Sequence, residues 1–199
     1  MELIKDLQES IRLFSNEGKK ELEVWVLDKF LNTLNLIYTG NEIIQTSQQN
    51  EPPDVLFRDA HFEVMELYDE ERQRHKELKN MLNQIEAATS YNDCLNYETR
   101  DFKLMSLQEL LTVAEERLHE KKGLYSADTK ARLDALIYVN LQKIRIADKE
   151  YTFTLSEDSK LRQWRSVSLV FNRDIVCIAH ASFCAPEFIR STVGMVIKK

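Results

Sequence analysis

The segment 135–141 constrains the fold most. Its sequence, Ala-Leu-Ile-Tyr-Val-Asn-Leu, is almost entirely apolar and contains β-branched residues. Such a continuous run is typical of a strand that is buried on both faces of a sheet. Amphipathic helices predicted at 2–16, 19–37, 69–88 and 106–122 are available to cover those faces. The sequence therefore predicts an α/β (α+β) chain with a mixed sheet flanked by helices.

The segment 52–67 is predicted to form a β-hairpin whose strands join at Asp59-Ala60. A two-residue turn at that point pairs Arg58 with His61. Because Ala lacks the tolerance of glycine for positive φ, this register is open to a slip of one residue. Side chains alternate along a strand, so one face is apolar. The other face collects Asp54, Leu56, Arg58, His61, Glu63 and Met65.

This second face brings two carboxylates together on neighbouring strands. Without a full countercharge Asp54 and Glu63 repel each other, which favours a divalent cation such as Mg²⁺. A third carboxylate, Glu23, falls within the apolar stripe of the helix at 19–37, where it needs either a metal or a basic partner. The simpler alternative for the hairpin is an ion pair between Glu63 and Arg58, with Asp54 capping the strand.

These residues match a known motif. Pro53-Asp54, followed after eight residues by Glu63-x-Met65, resembles the PD-(D/E)XK motif of restriction-endonuclease-like nucleases, with Met65 where the motif has Lys. The sequence is also similar to a bacterial family described as "putative endonuclease". That similarity is carried by the segments 19–25, 51–60, 62–64, 164–170 and 185–190.

The resemblance implies a restriction-endonuclease-like αβββαβ core in a single domain spanning 1–199. The N-terminal helix would occupy 1–16, the next helix and the motif strands 19–68, a helical insertion 69–125, and the remaining strands, hairpin and closing helix 126–199. It also implies hydrolysis of phosphodiester bonds in DNA with Mg²⁺ or Mn²⁺ held by Asp54, Glu63 and Glu23. Arg58 and His61 would be further catalytic candidates.

Met65 cannot provide the positive charge that the motif takes from Lys. Arg58, His61 or a lysine from the next helix would have to supply it. That helix carries a basic stripe predicted to contact nucleic acid, unless it is an ordinary solvated face with i,i+4 ion pairs. The stripe consists of Arg72, His75, Lys76 and Lys79.

The overall charge limits the possible partners. A formal net charge of -6 argues against broad binding to polyanions, although it allows a local basic groove. Three scattered cysteines, Cys94, Cys177 and Cys184, predict reduced thiols and a cytoplasmic location. The sequence shows no secretory signal and no apolar run long enough for a membrane helix. Two alternatives stay open: a catalytically inactive nuclease fold that binds nucleic acid or protein, and a homodimer formed through helices such as 106–122.

Overall fold

The computed structural model describes residues 2–15, 18–46, 52–69, 74–87, 102–120, 125–141, 144–146, 151–171 and 174–199. Its α-helices are α1 (Glu2–Leu13), α2 (Lys19–Thr33), α3 (Arg74–Ala87), α4 (Leu107–Glu120), α5 (Ala127–Lys130) and α6 (Glu187–Arg190). Its strands are β1 (Ile43–Gln45), β2 (Val55–Phe57), β3 (Ala60–Tyr68), β4 (Lys103–Met105), β5 (Asp134–Asn140), β6 (Ile144–Ile146), β7 (Ser166–Phe171), β8 (Ile175–Ala181) and β9 (Val196–Lys198). Short 3-10 helices span Gly40–Glu42 and Lys160–Gln163.

Seven strands form one mixed sheet in the order β1-β2-β3-β5-β7-β8-β9. The three middle strands β3, β5 and β7 are parallel to one another, and the remaining neighbours pair antiparallel. All seven residues of β5 are buried, as the apolar run predicts. A second, two-stranded parallel sheet joins β4 to β6.

Helices cover both faces of the large sheet, which confirms the predicted layering. On one face, β3 packs through Phe62 against α2 residues such as Phe30. On the other face it packs through Met65 and Leu67 against α4. The apolar stripe of α4 is buried in this second core, so it packs within the chain and offers no exposed apolar face to a second copy. The stripe comprises Leu107, Leu110, Leu111, Ala114 and Leu118.

The hairpin turn lies one residue earlier than predicted. Leu56 pairs with His61 and Phe57 with Ala60, so Arg58 and Asp59 form the turn. Arg58 adopts a left-handed φ of 52°, and its guanidinium is held by Glu42. Ala60 is fully buried and is therefore needed in the strand instead of the turn. Moving the turn by one residue shifts the pairing partner of each residue by two positions. Side chains alternate with a period of two, so every paired residue stays on its predicted face of the sheet.

A buried ionic network fixes the start of the parallel strands. The carboxylate of Asp134, the first residue of β5, is fully buried. It accepts hydrogen bonds from the Arg165 guanidinium, from Ser166 Oγ at 2.7 Å and from the backbone N–H of His61 at 2.9 Å. Arg165 also donates to the Asp59 carbonyl oxygen at 3.2 Å. The hairpin is thereby attached to β5 and β7.

Several short elements differ from the sequence prediction. Residues 151–155 alternate like a strand but form none, while β4, β6 and β9 were not predicted. Each of these three strands has only three residues, too few for a periodic pattern to show. Helix α2 ends at Thr33, before the predicted end, which leaves Ile37 94% exposed. The predicted start of the third helix at Asp69 cannot be compared, since residues 70–73 lie outside the described part.

Two further predictions concern cysteines and membranes. Cys177 is buried, Cys184 is exposed, and both are free thiols, as predicted; Cys94 lies outside the described residues. Among the helices that the structure describes, none is both long and apolar enough to span a bilayer.

Candidate functional site

Asp54 forms hydrogen bonds with the two residues on either side of Glu63. Its backbone N–H donates to the Phe62 carbonyl oxygen at 2.9 Å, and its Oδ2 accepts from the Val64 N–H at 2.9 Å. The first contact continues the β2–β3 pairing, with Asp54 directly before β2, and the second uses the Asp54 side chain. The backbone therefore places Asp54 across the hairpin from Glu63.

Glu63 is 5% exposed and lies on the sheet face that α4 covers. Its Oε1 accepts a hydrogen bond from the Tyr125 hydroxyl at 2.6 Å. Burial and the neighbouring charges of Glu63 and Asp54 raise the pKa of the Tyr125 phenol. Tyr125 therefore remains a hydrogen-bond donor throughout the physiological pH range.

Glu23 is the third member of this acidic cluster, which we define as Asp54, Glu63 and Glu23. It is 6% exposed, as its place in the apolar stripe predicts. Lys19 Nζ lies 3.5 Å from its Oε1, so the basic partner that the sequence left as an alternative is present. Burial, followed by the charge of Asp54, raises the pKa of Glu23 to about 7, although Lys19 opposes the shift; Glu63 adds a smaller effect.

The charges of the three carboxylates interact, but the three side chains do not converge on one point. Within the described residues, no three His, Cys, Asp or Glu side chains are close enough together to hold a metal ion. Asp54 and Glu63 therefore provide two carboxylates, and Glu23 interacts with them through its charge. Two carboxylates are a usual protein contribution to a Mg²⁺ site, because Mg²⁺ keeps several of its water ligands.

The two other catalytic candidates have separate positions. The Arg58 guanidinium donates to Glu42 Oε2 at 2.8 Å and to the Ile37 carbonyl oxygen at 2.9 Å. It therefore does not form the alternative ion pair with Glu63. The His61 side chain is exposed and lies two residues before Glu63, on the same face of β3.

The predicted nucleic-acid stripe is described only in part. Lys76 and Lys79 are exposed on α3, and this helix packs against α1. His75 belongs to α3, but its side chain lies outside the described part, as does the whole of Arg72. An exposed stripe agrees equally with a binding surface and with a solvated face.

Sequence reasoning missed Tyr125, which donates a hydrogen bond to Glu63, and the buried residue Lys130. Tyr125 packs edge-on against Trp164, with ring centroids 6.1 Å apart. The ammonium of Lys130, a residue only 4% exposed, lies 6.0 Å from the centroid of the same Trp164 ring. Tyr125 and Lys130 belong to a short polar segment around α5 that has no apolar periodicity, so no local pattern identified them.

Comparisons with known proteins place this geometry in context. A solved structure from Pseudomonas aeruginosa strain PAO1, described as a protein of unknown function of the monooxygenase superfamily, is similar to this chain with a TM-score of 0.69 and 27% sequence identity. The alignment covers 99% of this chain and 92% of that one. A search of curated proteins gave no match. A family model matches residues 1–199, and the chain therefore belongs to the family described as "Putative endonuclease, protein of unknown function (DUF1780)".

Proposed function

We propose that the protein is a metal-dependent nuclease that hydrolyses phosphodiester bonds in DNA. The observation that carries this proposal is the attachment of Asp54 to both neighbours of Glu63, which holds two acidic residues together on adjacent strands. Membership in the family described as "Putative endonuclease, protein of unknown function" supports nucleic acid as the substrate. The mixed sheet with helices on both faces is compatible with a restriction-endonuclease-like core.

The donor set suits a hard divalent cation, Mg²⁺ or Mn²⁺. Carboxylate oxygens are the ligands that these ions prefer, and Asp54 and Glu63 would hold the ion. A bound cation supplies Lewis acidity at the scissile phosphate and acidifies water. Glu23 is proposed as a third ligand, which would have to give up its contact with Lys19 to take part. His61, exposed two residues before Glu63, would contact substrate in this proposal, whereas Arg58 would first have to leave Glu42.

The positive charge that the motif normally takes from Lys needs another source. Met65 is 8% exposed and packs in the core under α4. Lys130 in α5 lies against the ring of Trp164, and the same ring packs against Tyr125, the hydrogen-bond donor to Glu63. We therefore propose Lys130, ahead of Lys76 and Lys79, as the residue that stabilises charge developing on the phosphate.

A second candidate function is nucleic-acid binding without cleavage. The observation that favours it is the same burial of Met65, because an apolar core side chain fills the motif position. In this case the acidic cluster would still bind Mn²⁺ or would remain a structural group, and DNA would bind without being cut. The second function predicts a DNA complex that weakens with salt and does not require metal.

One set of experiments separates the two functions. Mn²⁺ binding is measured by calorimetry and cleavage on plasmid and labelled duplex DNA, with RNA in parallel, for the unsubstituted protein, Asp54→Asn and Asp59→Asn. Asp59 is an exposed residue of the same hairpin, so its variant is the matched control. The nuclease proposal expects Mn²⁺-dependent cleavage that Asp54→Asn abolishes and Asp59→Asn retains. A salt-sensitive DNA complex without cleavage would support the second function, and the absence of both activities would reject both.

A further inference from the structure

Tyr125 and Glu63 form a short hydrogen bond at the acidic cluster. The phenol hydroxyl donates to Glu63 Oε1 at 2.6 Å. The two residues are separated by 62 positions in the chain, so the contact joins β3 to the segment that leads into α5. A hydrogen bond to one oxygen restricts rotation of the carboxylate plane, which sets the direction in which its lone pairs point.

Tyr125 is itself held in place from two directions. Its ring packs edge-on against Trp164, at an interplanar angle of 82°, and Trp164 is only 2% exposed. The next residue, Ser126, caps α5 by accepting a hydrogen bond from the Thr129 N–H at 3.1 Å. The phenol is therefore positioned by an ordered helix start and a buried aromatic ring.

We propose that Tyr125 is a positioning residue whose hydroxyl orients the Glu63 carboxylate for a divalent cation. This inference rests on the proposed function, in which Asp54 and Glu63 hold that cation. Residues that orient a ligand by hydrogen bonding typically change metal affinity by about 10–100-fold when they are replaced.

A purely structural contact offers a ready comparison within the same chain. The Tyr38 hydroxyl donates to Asp28 Oδ1 at 2.5 Å, and its ring packs edge-on against Phe57 with centroids 5.7 Å apart. Asp28 belongs to α2 and is not a member of the acidic cluster. Tyr38→Phe therefore removes the same type of hydrogen bond in the same type of aromatic contact, and it serves as the matched control for Tyr125→Phe.

The test measures Mn²⁺ affinity by calorimetry and the coordination of bound Mn²⁺ by electron paramagnetic resonance. Tyr125→Phe is expected to weaken Mn²⁺ binding by about 10–100-fold and to change the resonance spectrum, while Tyr38→Phe changes neither. Equal affinities and spectra for the two variants would overturn the positioning role while leaving the proposed function intact. Failure of the unsubstituted protein to bind Mn²⁺ would overturn both.

A second measurement requires no substitution at Tyr125, in case Tyr125→Phe does not fold. In protein labelled with 3-fluorotyrosine, saturating Mn²⁺ should strongly broaden the fluorine resonance of a tyrosine next to the ion. The Tyr38 resonance, identified by its loss in Tyr38→Phe, should remain sharper. Tyrosine resonances that all respond alike to Mn²⁺ would place no phenol beside the ion and would refute the proposal.

Discussion

Arg165, which directly precedes β7, binds both carboxylate oxygens of Asp134, the first residue of β5. Asp134 is fully buried, and the side chain of Arg165 is 12% exposed. Because the same two residues also bind the backbone of His61 and Asp59, the ion pair connects the hairpin that carries the acidic cluster to the middle of the sheet. A pair in this environment is expected to be sensitive to the loss of either partner.

Asp134→Asn is therefore predicted to destabilise the fold by about 3 kcal/mol, because it leaves the Arg165 charge without its buried counterion. The free energy of unfolding is measured by urea denaturation followed by circular dichroism. Glu21→Gln is the control, since its ion pair with Arg12 is about half exposed on both sides and is worth less than about 1 kcal/mol. Similar losses in the two variants would show that the Asp134 pair is not specially coupled to the fold.

Restoring the motif lysine is predicted not to increase DNA cleavage. Met65→Lys would place an ammonium in the core beneath α4 and cost several kcal/mol of stability, about 3 or more. Met65→Leu, which conserves volume, is expected to cost less than about 1.5 kcal/mol. Thermal unfolding and DNA cleavage are measured on both variants. A stable Met65→Lys protein with increased cleavage would contradict the structure at this position.

Glu23 is predicted to make stability depend on pH. Its pKa is raised from the ordinary 4.5 to about 7, so the folded state holds a proton that the unfolded chain releases. The stabilisation is complete below pH 4.5 and is lost as the pH rises through about 7. Because one pKa unit corresponds to about 1.4 kcal/mol, we expect the free energy of unfolding to fall by about 2 kcal/mol between pH 5 and 8.

The measurement compares unfolding free energies of Glu23→Gln and the unsubstituted protein across this pH range. The variant should gain stability relative to the unsubstituted protein as the pH rises. Val24→Ala removes no ionisable group from the same helix, so its difference from the unsubstituted protein should stay constant. A Glu23→Gln difference that is equally flat would show that the carboxyl is not perturbed.

Lys76 and Lys79 test the predicted nucleic-acid surface on α3. If both contact phosphate groups, the double change Lys76→Gln and Lys79→Gln should reduce the slope of log affinity against log salt by about 2. Fluorescence anisotropy with labelled duplex DNA at several salt concentrations gives this slope. Lys103→Gln, an exposed charge on β4, is the control. Identical slopes for the α3 variant and the control would assign these lysines to a solvated face.

The large elements were predictable because their residues repeat with a clear period. The run at 135–141 predicted the central strand β5 within one residue, and the apolar spacing at 106–122 predicted helix α4. The hairpin register required information from outside the local sequence, since Arg58 adopts its left-handed conformation with help from Glu42 and Ala60 is drawn into the core.

The residues of the candidate site were likewise predictable only where a local sequence pattern relates them. Asp54 and Glu63 are neighbours in one hairpin, so alternation alone brought them together. Tyr125 reaches Glu63 across 62 positions of the chain, and its ring packs on Trp164, which also contacts Lys130. Neither residue shows a spacing in the sequence that could have linked it to Glu63. The helical period predicted that Glu23 is buried, but it did not identify Lys19 as its partner.

Both outermost strands of the large sheet, β1 and β9, contain only three residues. An open strand edge presents unpaired backbone donors and acceptors to which a foreign chain can add, and shortening the edge is one way in which natural proteins limit such addition. The long, apolar strands β3, β5 and β7 are kept in the interior of the sheet. We therefore expect concentrated solutions of the folded protein to resist fibril growth, which would require prior unfolding to expose the inner strands.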